Sequence, residues 1–398
     1  MQILARVHSA ATVQRLLCHP RLPLVAAWDA DRPAIRIWEH GDGQLRLRGA
    51  LGVGSTVYAD DVGYERLKRT PSVAWHPSEA LLAVADAESV VLWTPSNTSP
   101  VTAATRTEYQ REVAFSPDGR TLWLSPATGK DGWEQSVALD LASGTTVVGP
   151  RWDTGVVAHP AGGLVCTLES DQGATLVLFS ADTGPVLRPL RRALVLDCDG
   201  YEAPIFSSDG RHFAVRGNAY DNSLEVFEFP SLRRVVGMTL GEPSPGYPYP
   251  QEWMDEMEAW SRHNVAFGAS PRVLWIGTPD GVVIERDIDG SRVIEHEVLS
   301  GAAVTALAAT AAGELVIAGN DEVLLVLPAG TAGHDGAPRA VVTEFLASTT
   351  EASVVDMDQL DLTDGTRTWQ SGDLDAVTET SETDPSWLRI RASMNRLN

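Results

Sequence analysis

Lysine is all but missing from this chain of 398 residues, occurring only as Lys68 and Lys130. Neither completes the G-x-x-x-x-G-K-[ST] pattern of a phosphate-cradling loop, which excludes a P-loop nucleotide site. Cysteine is also scarce. Cys18, Cys166 and Cys198 are odd in number, far apart and without a C-x-x-C pair, so zinc ribbons, dithiol redox chemistry and a disulfide framework are excluded. Free thiols fit a reducing compartment, and the expected location is the cytoplasm. No apolar run approaches the roughly 18 residues of a membrane span. The longest candidate, 302–312, is short and rich in Ala and Thr, and Arg6 with His8 interrupts any apolar signal-peptide region near the start.

Positive charge is the next shortage. Against 53 Asp and Glu stand 31 Lys and Arg, a formal charge of −22. Such a body repels phosphate backbones and anionic lipid, so nucleic acid and membrane are excluded as expected partners. The small basic groups Arg66/Lys68/Arg69 and Arg188/Arg191/Arg192 read as solvated surface. Catalytic motifs are missing too. There is no G-x-S-x-G, and the roughly 70 residues after the last repeat are too few for an α/β-hydrolase domain. Gly49, Gly52 and Gly54 are followed by Val57 where a dinucleotide fingerprint needs its last glycine, and they read as a flexible loop.

What is present is a hydrophobic fraction of 43%, enough for a folded core, arranged in a repeat. A short apolar run, a turn and a second apolar run recur at 16–20, 73–77, 113–119, 156–160, 205–210, 265–268 and 305–308. Taking His19, His76, Ser116, His159, Ser207, Gly268 and Ala308 as equivalent gives intervals of 57, 40, 43, 48, 61 and 40 residues. Four lie near the ~40–45 residues of a four-stranded propeller blade, and two are stretched by insertions. The first run of each unit is apolar almost throughout, as a strand buried on both faces requires. A His-Pro or Pro-Asp-Gly turn follows. The second strand ends in a turn carrying an Asp in every unit, from Asp29 and Asp86 to Asp280 and Asp321; a third strand and a more polar fourth come next. Polarity rising outward over four strands is the pattern of a β-propeller blade.

The residues Ser116-Pro117-Asp118-Gly119-Arg120-Thr121-Leu122, with Ile37-Trp38 and Leu92-Trp93 at third-strand ends, resemble degenerate WD40 repeats of bacterial type over about residues 13 to 327. Trp38 and Trp93 are followed by Glu39 and Thr94 rather than Asp, and no Gly-His dipeptide precedes a blade. The fold class expected is all-β, a single propeller of seven blades over 1–346, with a C-terminal extension over 347–398. That extension divides into a hairpin at 357–369, an acidic linker at 370–386 and a short basic terminal helix. Closure is expected from residues 2–7 as the outer strand of the last blade, which removes a free edge. The alternative is an irregular eighth blade built from a strand around Val341–Leu346 and the tail hairpin.

His19, His76 and His159 occupy equivalent positions before Pro, so the repeat explains them, each bonding its own turn or a neighbouring blade. No metal and no cofactor is expected. The insertions 49–70 and 241–264 both fall between the fourth strand of one blade and the first of the next. These connections share one face of the disc with the turns between second and third strands. Tyr58, Tyr64, Tyr109, Tyr201, Tyr247 and Tyr249 fall in blade-to-blade connections and Tyr220 in a second-to-third turn, joined by Trp152, Trp253 and Trp260. Tyr and Trp anchor interfaces because each buries a large area for few rotors. The i, i+4, i+7 spacing of Trp253, Met257 and Trp260 predicts a helix over 251–262 with one apolar stripe. The function expected is therefore a non-enzymatic protein-interaction scaffold or sensor, monomeric alone, binding partners through this aromatic face. The alternative is an enzyme or small-ligand binder using the central channel.

Overall fold

A computed structural model describes residues 1–54, 66, 69–86, 89–101, 110–126, 135–171, 173–197, 200–217, 221–328, 338–353 and 355–397. Among them, seven blade sheets form, built from antiparallel strands consecutive in sequence except in the closing blade and in blade four, whose sheet gains strands from the C-terminal extension. The innermost strands of blades one to seven are Val13–Cys18, Ser72–Trp75, Gln110–Phe115, Thr154–Ala158, Ile205–Phe206, Val265–Phe267 and Ala306–Ala309. The second strands Leu24–Asp29, Leu82–Ala85 and Leu315–Gly319 are buried at every position. Fourth strands such as Asn97–Pro100 and Thr146–Val148 are exposed at every position.

A blade cannot bury both faces alone, so each hydrophobic cluster spans two neighbours. One cluster joins blades seven and one through Ala306, Val316, Val13 and Val25, and the next joins one and two through Trp28, Ile37, Val73 and Trp75. The series continues through every adjacent pair to blades six and seven. Closure follows the expected route. Gln2–His8 pairs antiparallel with Glu322–Leu327, from Gln2 opposite Leu327 to His8 opposite Glu322, with a one-residue register shift between Ile3 and Ala5. The Arg6 guanidinium adds an ion pair to Glu322 at 3.2 Å.

The His-Pro turns bolt neighbouring blades together. Nδ1 of His19 accepts the backbone N–H groups of Arg21 and Leu22, both at 3.0 Å. The proton therefore sits on Nε2, which donates to the Glu79 carbonyl of blade two at 2.8 Å. His159 repeats the device, with Nδ1 accepting from the Ala161 N–H at 3.1 Å and Nε2 donating to the Gly210 carbonyl of blade five at 2.9 Å. His76 accepts from Ser78 and Glu79, and its ring abuts Gly119 of blade three. Gly119 has φ +75°, and a Cβ there would stand 1.9 Å from His76 Nε2, so only glycine fits the turn. Where serine replaces histidine, Ser116 and Ser207 donate to Asp118 and Asp209 at 2.6 and 2.7 Å. Each accepts the N–H of the residue five positions on.

Helix α1 is Gln251–Ala259, in the insertion between blades five and six. Helix α2 is Arg339–Ala347, where the eighth-blade alternative placed a strand. Val341, Val342 and Phe345 lie on one side of this helix and are buried among residues of blades four and five. The Phe345 ring stands 4.8 Å from Phe179 and 5.0 Å from Phe229, beside the turn that carries Ala161. All three apolar side chains reach the core from one side of the helix, and no eighth blade forms among the described residues. The tail hairpin is shorter than the expected 357–369: Asp361–Thr363 pairs with Thr368–Trp369 around Asp364-Gly365, and Met357–Gln359 is a 3-10 turn. Its place is the outer edge of blade four, where Asp361–Thr363 runs parallel to Arg192–Asp197.

The acidic stretch expected as a solvated linker is folded back instead. Asp373–Ala376 makes a 3-10 turn with Leu374 buried, and Arg367 holds Asp384 at 2.5 Å. Helix α3, Ser386–Asn395, then docks Trp387, Leu388 and Ala392 on the extension and blade four, with Arg391 paired to Asp358 and Asp375. The extension thus wraps the rim of blade four from one face of the disc to the other.

Two expectations follow. Phe345→Ala should cost about 3–5 kcal/mol of stability by urea denaturation, because its ring is fully enclosed; a loss below ~1 kcal/mol would contradict the docking of α2. Burial also holds His19, His40, His159, His212 and His263 below the ordinary imidazole range. The unfolded chain takes up these protons near pH ~6.5 while the fold resists them, so their contribution is complete above that pH and falls as acid is added. The urea midpoint should be lower at pH 5.5 than at 7.5, and equal midpoints would contradict this.

Candidate functional site

After Gly241 the chain carries Pro243, Pro245, Pro248 and Pro250, which keep it extended and unable to pair. Helix α1 starts directly after Pro250, with Glu252 in its first turn, where a carboxylate suits the helix dipole. It ends three residues earlier than the predicted span, at Ala259. Two contacts fix it to the disc. Asn222 of blade five donates its amide to the Met257 carbonyl at 3.0 Å, and Trp260 packs on the cluster between blades five and six. Gly241, at φ +77°, leaves room for that ring, since a Cβ would approach Trp260 Nε1 to 2.7 Å.

From this anchor an aromatic series leads outward. Trp253 donates its indole N–H to the Glu242 carbonyl at 3.0 Å. Tyr249 stacks on Trp253 with ring centroids 5.1 Å apart at 28°, and Tyr247 meets Tyr249 edge-on at 6.1 Å. Trp253, Met257 and Tyr249 are half-buried, whereas Tyr247 is 89% exposed and α1 has no fully buried residue. Around them stand Glu242, Glu252, Asp255, Glu256 and Glu258, all exposed, with no basic residue between 241 and 260. The insertion is a pre-stacked aromatic edge in an acidic field.

The other predicted aromatics divide. Trp152 is 2% exposed and packs with Trp123, Ala138 and Val165 between blades three and four. It belongs to the core and leaves the partner-binding set, because the blade-to-blade connection there is too short to lift the ring off the sheets. Tyr201 is half-buried, packs between blades four and five, and donates its hydroxyl to the Asp197 carbonyl at 2.5 Å. Tyr58, Tyr64, Tyr109 and Tyr220 lie outside the described residues, as does most of the 49–70 insertion. The structure therefore brings together Tyr247, Tyr249 and Trp253, with Met257 and Trp260 as their footing.

The central channel, named in the alternative reading, carries a charge not expected from the sequence. The central channel is a cavity of about 990 Å³ lined by the inner strands of all seven blades. Its lining carries five arginines, Arg15, Arg21, Arg216, Arg262 and Arg339, against four carboxylates. That reverses the acidic balance of the whole chain. The signal available in sequence was Arg15 interrupting an apolar inner run, but Arg216, Arg262 and Arg339 are over 200 residues away. Among the described residues no three His, Cys, Asp or Glu side chains gather as a metal site, and no helix is long and apolar enough to cross a membrane.

Comparison with known proteins adds to this geometry. No protein-family model matches the chain, and neither does any curated protein. Among solved structures, the chain is similar to the β-propeller domain of Cps50 (Swd1) from Myceliophteria thermophila, with a TM-score of 0.55 and 11% identity, over 81% of this chain and 98% of that one. The chain has a WD40-like propeller fold. At this identity the likeness concerns the fold alone, and this WD40-like disc carries two features described above, the acidic aromatic edge and the arginine-bearing channel.

The burial difference between the two tryptophans is directly measurable. Trp152→Ala should lose about 3–5 kcal/mol by chemical denaturation and Trp253→Ala under about 1 kcal/mol. Equal losses would contradict the division of core from surface.

Proposed function

We propose that this protein is a non-enzymatic interaction module, a scaffold or sensor of cytoplasmic location built from degenerate WD40 repeats of bacterial type. It binds a partner protein through the face that carries the 241–264 insertion. The observation that carries this reading is the outward stack of Trp253, Tyr249 and Tyr247, with Tyr247 almost wholly exposed at its tip. Stacking limits the rotor freedom of these rings before binding, so little ordering remains to oppose association. The five surrounding carboxylates favour a partner whose apolar groove has a basic rim, since complementary charge speeds encounter and rejects acidic surfaces. WD40-like propellers as a fold class serve commonly as protein-binding platforms, which agrees with this assignment.

The test is quantitative capture of partners from native cells by wild type, by Tyr247→Ala/Trp253→Ala and by Arg46→Ala on an outer strand. The double variant should lose at least tenfold of the specific capture with its melting temperature unchanged, while Arg46→Ala keeps it. Undiminished capture by the double variant would remove the aromatic edge from the interface.

A further inference from the structure

The channel mouth on the face of the blade-to-blade connections holds a charge arrangement that the protein-binding reading does not use. Arg216 ends the second strand of blade five and is 2% exposed. Its Nε donates to Asn264 Oδ1 at 3.2 Å and its Nη2 to Asn222 Oδ1 at 2.7 Å, with the carbonyls of Gly217, Ser223 and Ser261 taking its remaining donors. Every partner is a neutral oxygen, and no carboxylate lies within ion-pair distance among the described residues. A buried guanidinium in neutral hydrogen bonds keeps its full charge in a poorly screened place.

Two more guanidiniums share this mouth. Arg262 precedes the inner strand of blade six, is exposed, and has no hydrogen bond or ion pair among the described residues. Arg15, on the inner strand of blade one, holds its guanidinium carbon 5.1 Å from the Trp28 ring centroid in a cation–π contact, with no hydrogen bond of its own among them. All three surround His263, which burial and these cations push down to about 4 despite Glu202 at 3.7 Å. The imidazole is therefore neutral at physiological pH. Among the described residues of the sector from blade five round to blade one, three cations face Glu202 on the lining and Asp221 beside Arg216; Glu112 lies across the channel on blade three. The local balance is one positive charge.

We propose that this mouth binds a doubly charged oxyanion, the phosphate of a small phosphate monoester, with Arg15 and Arg262 donating directly and Arg216 supplying a fixed positive field from behind. Each of the three guanidiniums attracts a ligand in proportion to its charge, which favours a dianion over a carboxylate. The free donors of Arg15 and Arg262 match the bidentate geometry in which guanidinium binds phosphate. The channel volume is of the size that houses small ligands, and the acidic surface elsewhere leaves this mouth as the favoured landing place for an anion.

The experiment titrates the full chain with inorganic phosphate, phenyl phosphate and acetate by calorimetry, at pH 8 and low ionic strength. Saturable one-to-one binding of both phosphates is expected, with acetate at least tenfold weaker. Arg15→Gln/Arg262→Gln should weaken phosphate at least tenfold, while Arg46→Gln/Arg48→Gln on an outer strand leaves it unchanged. Phosphate should also shield Arg15 and Arg262 of the wild-type protein from phenylglyoxal, mapped by mass spectrometry, a readout that needs no variant to fold. No saturable binding, equal binding of acetate, equal loss in both variants, or no shielding would each overturn the assignment. A phosphoserine peptide binding far more tightly than phenyl phosphate would transfer the site to a protein ligand and overturn the small-molecule reading.

Discussion

Everything in this molecule depends on the pairing of its first strand with its last blade. Without Gln2–His8, the strand Glu322–Leu327 would present open backbone donors and acceptors, and the cluster between blades seven and one would lose Leu4, Ala5 and Val7 from its margin. Each interblade cluster needs both of its blades, so the ring is stable only when it is complete. Closure turns seven marginal sheets into one cooperative unit. The histidine bolts work in the same direction, since one imidazole satisfies its own turn and grips the next blade.

A rigid ring makes the additions meaningful. The extension does not build another blade; it lengthens blade four outward with a parallel strand and clamps it with helices α2 and α3. The 241–264 insertion is held differently, by Trp260 and one side-chain amide from Asn222, with its outer rings packed mainly on one another. A large buried docking surface makes the tail part of the body. The thin attachment of the insertion leaves its aromatic edge available. The channel follows from the ring as well, because only closure brings Arg15 of blade one beside Arg262 of blade six.

The repeat was legible because its physics is local. An inner strand buried on both faces must be apolar, and the His-Pro or Ser-Pro-Asp-Gly turn after it has a side chain that caps its own backbone. The hairpin around Asp364-Gly365 was legible for the same reason. Its destination was not, since blade four lies more than 150 residues back in sequence. Residues 341–346 fit a buried strand or a helix by composition, and the pocket beside Phe179 and Phe229 decided for the helix. Trp152 and Tyr247 look alike in sequence as aromatics in connections. The first is enclosed by the neighbouring blade and the second is carried away by prolines, a difference set by three-dimensional neighbours. The mouth arginines Arg15, Arg216 and Arg262 come from blades one, five and six, and Arg15 joins the other two only in the closed ring.

Hydrogen–deuterium exchange of the full chain, resolved to short peptides, tests most directly the claim of a closed rigid disc presenting a lightly attached aromatic edge. The account predicts that the paired amides of residues 2–8 and 322–327 exchange together and as slowly as those of the inner strands, while 243–258 exchanges orders of magnitude faster. Rapid exchange of residues 2–8 with slow exchange of 243–258 would contradict it, placing the insertion in the core and leaving the ring open.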